Sequence, residues 1–302
     1  MTAGSSERQR GDVVTALWEG FDRYLAARAP TEAHKAEVRQ YRERIREIIA
    51  AQYRLMSFYQ SGSFQHGTAV MPYSDVDYIA RIHYQDRPVS SNTILNNLRD
   101  LLKRELWEAT VSVRRPTVTI EFRGLLPYYE ITPAYLERGT TDEDRVALIP
   151  SPGGGWREAA PKAHSKIVAD VDRKHGGDVR EMARLLKAWK YENAVSVSSF
   201  YLEMRAAEYG KNHDTVYPFT AIRSIVTTLV NQGLPAMNDP ARLVSRVSAC
   251  SSESARVSAM TDLRKFKRNI DGAHAAWLAN ERYDMNQALQ AIWGSGFPYC
   301  DT

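Results

Sequence analysis

Cysteine is scarce: Cys250 and Cys300 are the only two in 302 residues. No CxxC pair is present, so a disulfide framework is excluded. The seven histidines, at 34, 66, 83, 164, 175, 213 and 274, show no ligand spacing, and no structural zinc site is expected. No run of about 18 apolar residues occurs, which argues against a membrane-spanning helix. The opening, MTAGSSERQRGDVV, lacks the apolar stretch of a signal peptide, and a cytoplasmic location is the expectation. Excess charge is also small. Lys+Arg 40 against Asp+Glu 36 gives a net charge of +4, spread along the whole chain. That suits anionic ligands mildly and does not mark an obligate nucleic-acid binder. What remains is an ordinary globular composition, 43% apolar and 25% charged, long enough for one large domain or two lobes with separate cores.

Along the chain, residues 1–10 are polar and expected to be loose. Helical spacing runs over 12–28, and Thr31 is placed to cap a second helix over 32–51. Residues 54–60 read as a strand, and 91–107 as a helix with a stripe of Ile94, Leu95, Leu98, Leu101, Leu102 and Leu106. Three β-like runs follow, 109–114, 117–122 and 128–132, with RGLLP read as the hairpin turn between the last two. SPGGGWREAAP, 151–161, is the clearest break in composition. Beyond it everything reads as helix: 162–173, 179–193, 198–210, 218–231, 240–248, 255–281 and 284–293.

The most informative stretch is SGSFQHGTAVMPYSDVDYIARI, residues 61–82. Alternate residues of a strand share a face, so Asp75 and Asp77 project together while Val76 and Tyr78 face the other way. Two adjacent carboxylates repel, and the motif holds no basic residue. A divalent cation is the natural partner, and Mg²⁺ favours carboxylate oxygens together with substrate phosphates. Gly62 permits close backbone approach, and Ser63 supplies a hydroxyl and an N–H at an expected helix start, a turn able to hold phosphate oxygens.

GSFQHGTAV…SDVDY resembles the signature of the polymerase-β-type nucleotidyltransferases. Within them it is similar to the bacterial cGAS/DncV-like nucleotidyltransferases (CD-NTases), relatives of animal cyclic GMP-AMP synthase and oligoadenylate synthetase. RLLKAWKYENAVSVSSFYLE, 184–203, resembles that family's Lys-x-Trp helix followed by a Ser-Ser-aromatic-aromatic-Leu-Glu helix. AIWGSGFPY resembles its C-terminal signature, and the resemblance covers roughly residues 35–299.

The resemblance implies three catalytic, metal-ligating acids. Two are Asp75 and Asp77. The third precedes a Val-Val-Pro-Ala-like run, here EITPAY, which points to Glu130, where the family more often has Asp. Glu121, in TVTIEF, is the competitor and is expected to be an exposed strand residue. These acids would hold two Mg²⁺ ions, for which Mn²⁺ can substitute. Gly62 and Ser63 would bind nucleotide phosphate. Lys187 matches a lysine that meets the donor triphosphate, and Ser199 a serine that bonds it. Phe200 stands where a Tyr often stacks on the donor base. Trp189 is expected in the core, Thr68 and Ser74 in turn chemistry, and His66 at the surface. Arg264, Lys265, Lys267 and Arg268 read as a solvated helix face.

The expected fold is therefore α+β: a two-lobed polymerase-β-like nucleotidyltransferase. A mixed-sheet catalytic lobe with the N-terminal helices spans 1–155, and a helical lobe, 156–302, completes a nucleotide cleft. The implied activity joins ribonucleoside triphosphates (ATP, GTP or a pyrimidine nucleotide) into a cyclic di- or trinucleotide and releases pyrophosphate. The product would be a second messenger of anti-phage (CBASS-type) signalling, read by a separate effector, with no membrane and no obligate nucleic acid involved. Transfer to an RNA or protein acceptor, or synthesis of a linear oligonucleotide, stays open as an alternative. A catalytically dead binding module is disfavoured, because all three acids are present. The ending YCDT gives little support to a conjugated C-terminal tail.

Overall fold

The computed structural model describes residues 3–124 and 127–300; Leu125 and Leu126 of the expected RGLLP turn lie outside them. The chain divides into two compact units, one holding Pro30–Asp170 and Asn238–Arg246, the other Val171–Met237 with the residues up to Ala29 and from Val247 onward. Each has its own core.

The first unit is built on one mixed sheet. A helix, α2 (Glu32–Gln52), starts at Thr31, whose hydroxyl accepts the His34 N–H while His34 Nδ1 accepts the Thr31 N–H. Then follow β1 (Leu55–Ser61), the short α3 (Gly62–His66), β2 (Val76–Ile82), α4 (Ser91–Glu105), β3 (Ala109–Arg114), β4 (Thr117–Phe122) and β5 (Tyr129–Arg138). Ser90 caps α4, and the expected stripe, Ile94 to Leu106, is buried. The strand order is β1-β2-β5-β4-β3. β2 and β5 are parallel, whereas β1–β2, β3–β4 and β4–β5 are antiparallel. One face carries Val76, Tyr78, Ala80, Val118, Ile120, Phe122, Tyr129 and Ile131, which pack with Ile45 and Ile49 of α2 and the α4 leucines in a single core. Burying one such large aliphatic side chain contributes roughly 1.5–3 kcal/mol.

Three readings of the sequence are corrected here. Residues 1–10 are not loose throughout, because α1 (Ala3–Ala26) begins at Ala3. The break at 151–161 does not end the sheet: β7 (Trp156–Ala159) lies within it and pairs with β6 (Val146–Pro150), which pairs with β5, so the Gly-rich stretch is a hairpin loop. Residues 240–248 form no helix. Asp239 accepts the N–H groups of Ala241, Leu243 and Val244 at 3.3, 2.9 and 3.1 Å, and an Asp that binds nearby backbone in this way competes with helix formation. His164 Nε2 lies 2.6 Å from the same carboxylate, tying this loop to α5 (Pro161–Lys174).

The second unit is helical: α1, α6 (Asp178–Glu192), α7 (Ser199–Asn212), α8 (Pro218–Gln232), α9 (Glu253–Ala279) and α10 (Arg282–Trp293). A boundary at 155 groups α1 with the sheet, but α1 clusters with these helices. The reason is aromatic packing. Phe21 meets Trp293 edge-on at 5.3 Å between ring centroids and Phe297 at 5.4 Å, and Tyr24 donates to the Trp293 carbonyl at 3.0 Å. Trp189 stacks on Phe266 at 4.6 Å, in the core as its place in the sequence suggested.

Candidate active site

The second face of the sheet is apolar along part of its length, where Ile79 and Ala134 pack with Ala147 and Ile149, and polar at the Asp77 end. The strand register sets a row of opposed residues across that face: Ser61, Asp77, Glu130, Thr119 and Ser112. Asp77 and Glu130 are direct partners on adjacent parallel strands, about 4.8 Å apart in backbone spacing. Asp75 immediately precedes β2, where the Val76 N–H donates to the Tyr128 carbonyl at 2.8 Å and extends the ladder. Glu121 lies two residues along β4 from Thr119, so it shares the face but is not adjacent to β2. Expected to be an exposed strand residue, it is half-buried, and the competitor for the third acid is a fourth carboxylate on this face.

The electrostatics follow from this crowding. Burial pushes the Asp75 carboxyl above the usual carboxylate range; the Arg114 charge opposes that, and the Glu121 charge adds to it. Burial, then repulsion from Asp75, raises Glu130, opposed by Arg114 and by the Thr117 hydroxyl. Arg114, at the end of β3, is the basic residue missing from the opening motif. Its separation in sequence hid it, and only the pairing of Arg114 with Thr117 brings it to this face.

Gly62 opens α3 with φ +61, a conformation that favours glycine. A Cβ there would lie 2.0 Å from Asp77 Oδ2, so the turn backbone rests directly against this carboxylate. Ser63 is partly exposed in the same turn, and its carbonyl accepts the Thr68 N–H at 2.9 Å. Ser74 Oγ accepts the Val70 N–H at 2.9 Å, which is turn chemistry as expected. His66, expected at the surface, is buried, with Nε2 2.8 Å from Ser165 Oγ of α5.

Among the described residues no three His, Cys, Asp or Glu side chains stand ready-grouped around a metal position. The Asp77 carboxylate leans onto Gly62, and the Thr117 hydroxyl beside Glu130 donates to the Arg114 carbonyl at 2.9 Å. The donor set nevertheless fits a hard divalent cation. Asp77 and Glu130 are paired on adjacent strands with Asp75 just before β2, and burial, then the Asp75 charge, raises Glu130.

In the helical unit, Ser199 is the first residue of α7, and Ser198 is its cap, accepting the Tyr201 N–H at 3.3 Å. Lys190 Nζ donates to Ser199 Oγ at 2.8 Å, and the Tyr191 hydroxyl lies 3.1 Å from the same oxygen. Lys187 is only 1% exposed, whereas Lys190 is part-buried, its pKa lowered by burial and by the nearby Lys187 charge. Phe200 is half-buried. No helix among the described residues is long and apolar enough to cross a membrane.

No family model matches the chain. A probable cyclic nucleotide synthase of Bacillus cereus (strain VD146) is 20% identical over 140 residues, 46% of this chain and 42% of that protein. The chain thus aligns with less than half the length of this curated relative. CdnC of E. coli MS115-1, solved with ATP, superposes with a TM-score of 0.76 at 18% identity, covering 93% of this chain and 98% of that one. Vibrio cholerae DncV, a cyclic AMP-GMP synthase solved with the linear intermediate 5′ pppA(3′,5′)pG, gives 0.65 at 14% identity, covering 81% and 70%. The chain has the α+β, polymerase-β-like fold of the CD-NTases, a mixed sheet with helices.

Proposed function

We propose that this chain is a nucleotidyltransferase that joins ribonucleoside triphosphates into a cyclic di- or trinucleotide. The observation that carries this reading is the register pairing of Asp77 with Glu130 on the polar face, beside a glycine turn held against Asp77. Asp75, Asp77 and Glu130 would hold divalent cations, Mg²⁺ or Mn²⁺. A divalent cation there neutralises triphosphate charge and makes an acceptor hydroxyl easier to deprotonate. Gly62 and Ser63 receive the donor phosphates. Glu130 faces the acceptor hydroxyl and takes its proton as the oxygen bonds to the donor's α-phosphorus. The bond to the bridging oxygen breaks, and pyrophosphate leaves. Within the helical unit, Ser199 and Phe200 offer a hydroxyl and a ring face to a nucleotide; the buried Lys187 adds positive charge behind Lys190, which already bonds Ser199. DncV holds a linear intermediate, and here too a linear product precedes ring closure. The messenger would act in the cytoplasm through a separate effector in anti-phage signalling.

The test is incubation of the purified chain with labelled nucleoside triphosphates alone. The expected product resists phosphatase and is not polymeric. D75N/D77N should abolish it while the circular dichroism spectrum stays unchanged. Label appearing only on added RNA or protein, or full activity of D75N/D77N, would overturn the reading.

A further inference from the structure

Building on that reading, we propose that Arg114 and Arg115, at the β3–β4 turn, bind the 5′-triphosphate of the acceptor nucleotide. Arg114 is exposed and opposes Thr117; Thr119, two residues on, opposes Glu130. Strand alternation therefore puts Arg114 on the carboxylate face, on the side of Glu130 away from Asp77. Its charge reaches both Asp75 and Glu130. It is nevertheless in salt-bridge contact with neither, which leaves a planar, five-donor cation available at the rim of the acids.

Arg115 supplies the independent observation. Its Nη1 is buried and has no hydrogen-bond partner among the described residues. The surroundings explain the burial. β4 and β6 both pair with β5, β4 opposite Tyr129–Ile131 and β6 opposite Tyr135–Arg138. The β3–β4 turn and the β6–β7 loop therefore approach each other along β5. A Cβ on Gly154 would lie 3.8 Å from Arg115 Nη1. That loop is closed on itself, Gly154 N–H to Ser151 O and Ser151 N–H to Gly155 O, both at 3.0 Å. Gly154 and Gly155 have φ of +99 and +70, so the loop backbone comes close to the guanidinium with no side chain between. Among the described residues, two adjacent arginines, one without an ion-pair partner and one with a buried donor lacking an acceptor, are short of oxygen atoms. Phosphate oxygens in bidentate contact are the acceptors that guanidinium geometry favours.

The reaction geometry says which phosphates these are. If the donor phosphates lie in the α3 turn, pyrophosphate departs on the β1–β2 side. In-line displacement then brings the acceptor in from the opposite side, over β4 and β3. In the first transfer the acceptor keeps its own triphosphate, and the charges it meets there are Arg114 and Arg115. The donor's triphosphate is consumed on the other side of the acids. The loss of either arginine should therefore fall on the acceptor.

The experiment measures formation of the first phosphodiester by the full chain with a nucleoside triphosphate donor. The acceptor is either a nucleoside triphosphate or the matching nucleoside, which has no phosphate to bind. For the wild type, R114Q, R115Q and R114Q/R115Q, the ratio of kcat/KM on the two acceptors is compared. The expected result is a fall of about tenfold or more in that ratio in R114Q/R115Q. An unchanged ratio, or an equal loss with both acceptors that assigns the arginines to the donor or leaving pyrophosphate, overturns the proposal. Calorimetry with inorganic tripolyphosphate gives a readout without turnover: affinity should fall about tenfold in R114Q/R115Q relative to wild type. If no phosphodiester forms in any variant, the functional reading above fails by itself, and this binding measurement decides the arginines alone. Wild-type affinity in R114Q/R115Q then refutes them. Should that variant not fold, R114K/R115K keeps the charge and removes the fork, and it should still lower both quantities; if it leaves them unchanged, the proposal is wrong.

Discussion

Gly62 offers the sharpest way to disturb the acids without touching one. In Gly62→Ala the new Cβ would stand 2.0 Å from Asp77 Oδ2 and 2.7 Å from its Cγ, far inside contact distance. The carboxylate must turn away, and the backbone at φ +61 now carries a side chain. The left-handed conformation costs an ordinary residue about 1–2 kcal/mol, and driving Asp77 off its rotamer about 0.5–1.5 more. The total, about 2–3 kcal/mol, should lower the melting temperature by roughly 4–10 °C. Product formation should fall about 100-fold, the scale of losses when a ligand's support is removed. The two causes separate in an Asp77→Ala background. There only the Cβ of residue 77 remains, 3.2 Å from the new methyl group, so Gly62→Ala should cost just the backbone share, about 1–2 kcal/mol. Thermal melting of the wild type, the two single variants and the double variant measures the coupling. Equal destabilisation by Gly62→Ala in both backgrounds, or an active Gly62→Ala enzyme, would refute the close approach as the reason for the glycine.

Glu130→Gln should lose at least about 100-fold in rate and Glu121→Gln little; a dead Glu121→Gln variant would move the third acid to β4. Because the Glu121 charge raises Asp75, Glu121→Gln should shift the acid limb of the rate profile to lower pH, and a shift to higher pH would contradict the arrangement. In the helical unit, burial and the Asp22 and Asp178 charges push Glu181 up to about 7. A raised native pKa adds stability that is complete below the unfolded value and is lost as pH rises through about 7. Glu181→Gln should therefore shrink the fall in melting temperature between about pH 5 and pH 8, a difference of up to ~3 kcal/mol; identical profiles would deny the perturbed carboxyl. Phe200→Ala should raise the nucleotide KM about tenfold or more while barely moving the melting temperature, and Phe200→Tyr should be near neutral, since base stacking is worth about 1–3 kcal/mol. A sharp melting loss with unchanged KM would make Phe200 a core residue.

Local patterns revealed what depends on one element. The α4 stripe follows from 3.6-residue spacing, the Thr31 cap from side-chain chemistry, and the alternation of buried Val76 and Tyr78 with Asp77 from the strand period. What pairing at a distance decides was hidden. Arg114 and Glu121 join the acids only because β3 and β4 add to β5 in one particular register. β6 and β7 are five and four residues long, too short for periodicity to stand out. The 240–248 stretch has acceptable helical spacing, but Asp239 diverts its N–H groups and is itself held by His164, 75 residues away in sequence. Lys187 and Lys190 differ by one helical turn, and sequence alone does not say which is buried.

The cost of gathering acids on the polar face is borne by the opposite face of the same strands. Val76, Ile120, Tyr129 and Ile131 are fixed in a packed core, so the residues between them cannot separate to relieve their repulsion. Burial first, and then the Glu121 charge at Asp75 and the Asp75 charge at Glu130, raise both carboxyls. Both carboxyls are raised, so each contributes stability that is full below its unfolded value and is lost as pH rises through its native value. Acid relieves the site by adding protons. At neutral pH the same relief must come from cations, and the face has two kinds. Arg114 lies within Coulombic reach but is not paired with either acid, so it relieves the repulsion only partly. A divalent ion bound directly by the oxygens would complete it, and its binding free energy would then add to the stability of the sheet unit. The core that aligns the strands thus makes the polar face strained when bare, which is the physical reason such a site should prefer to bind a cation.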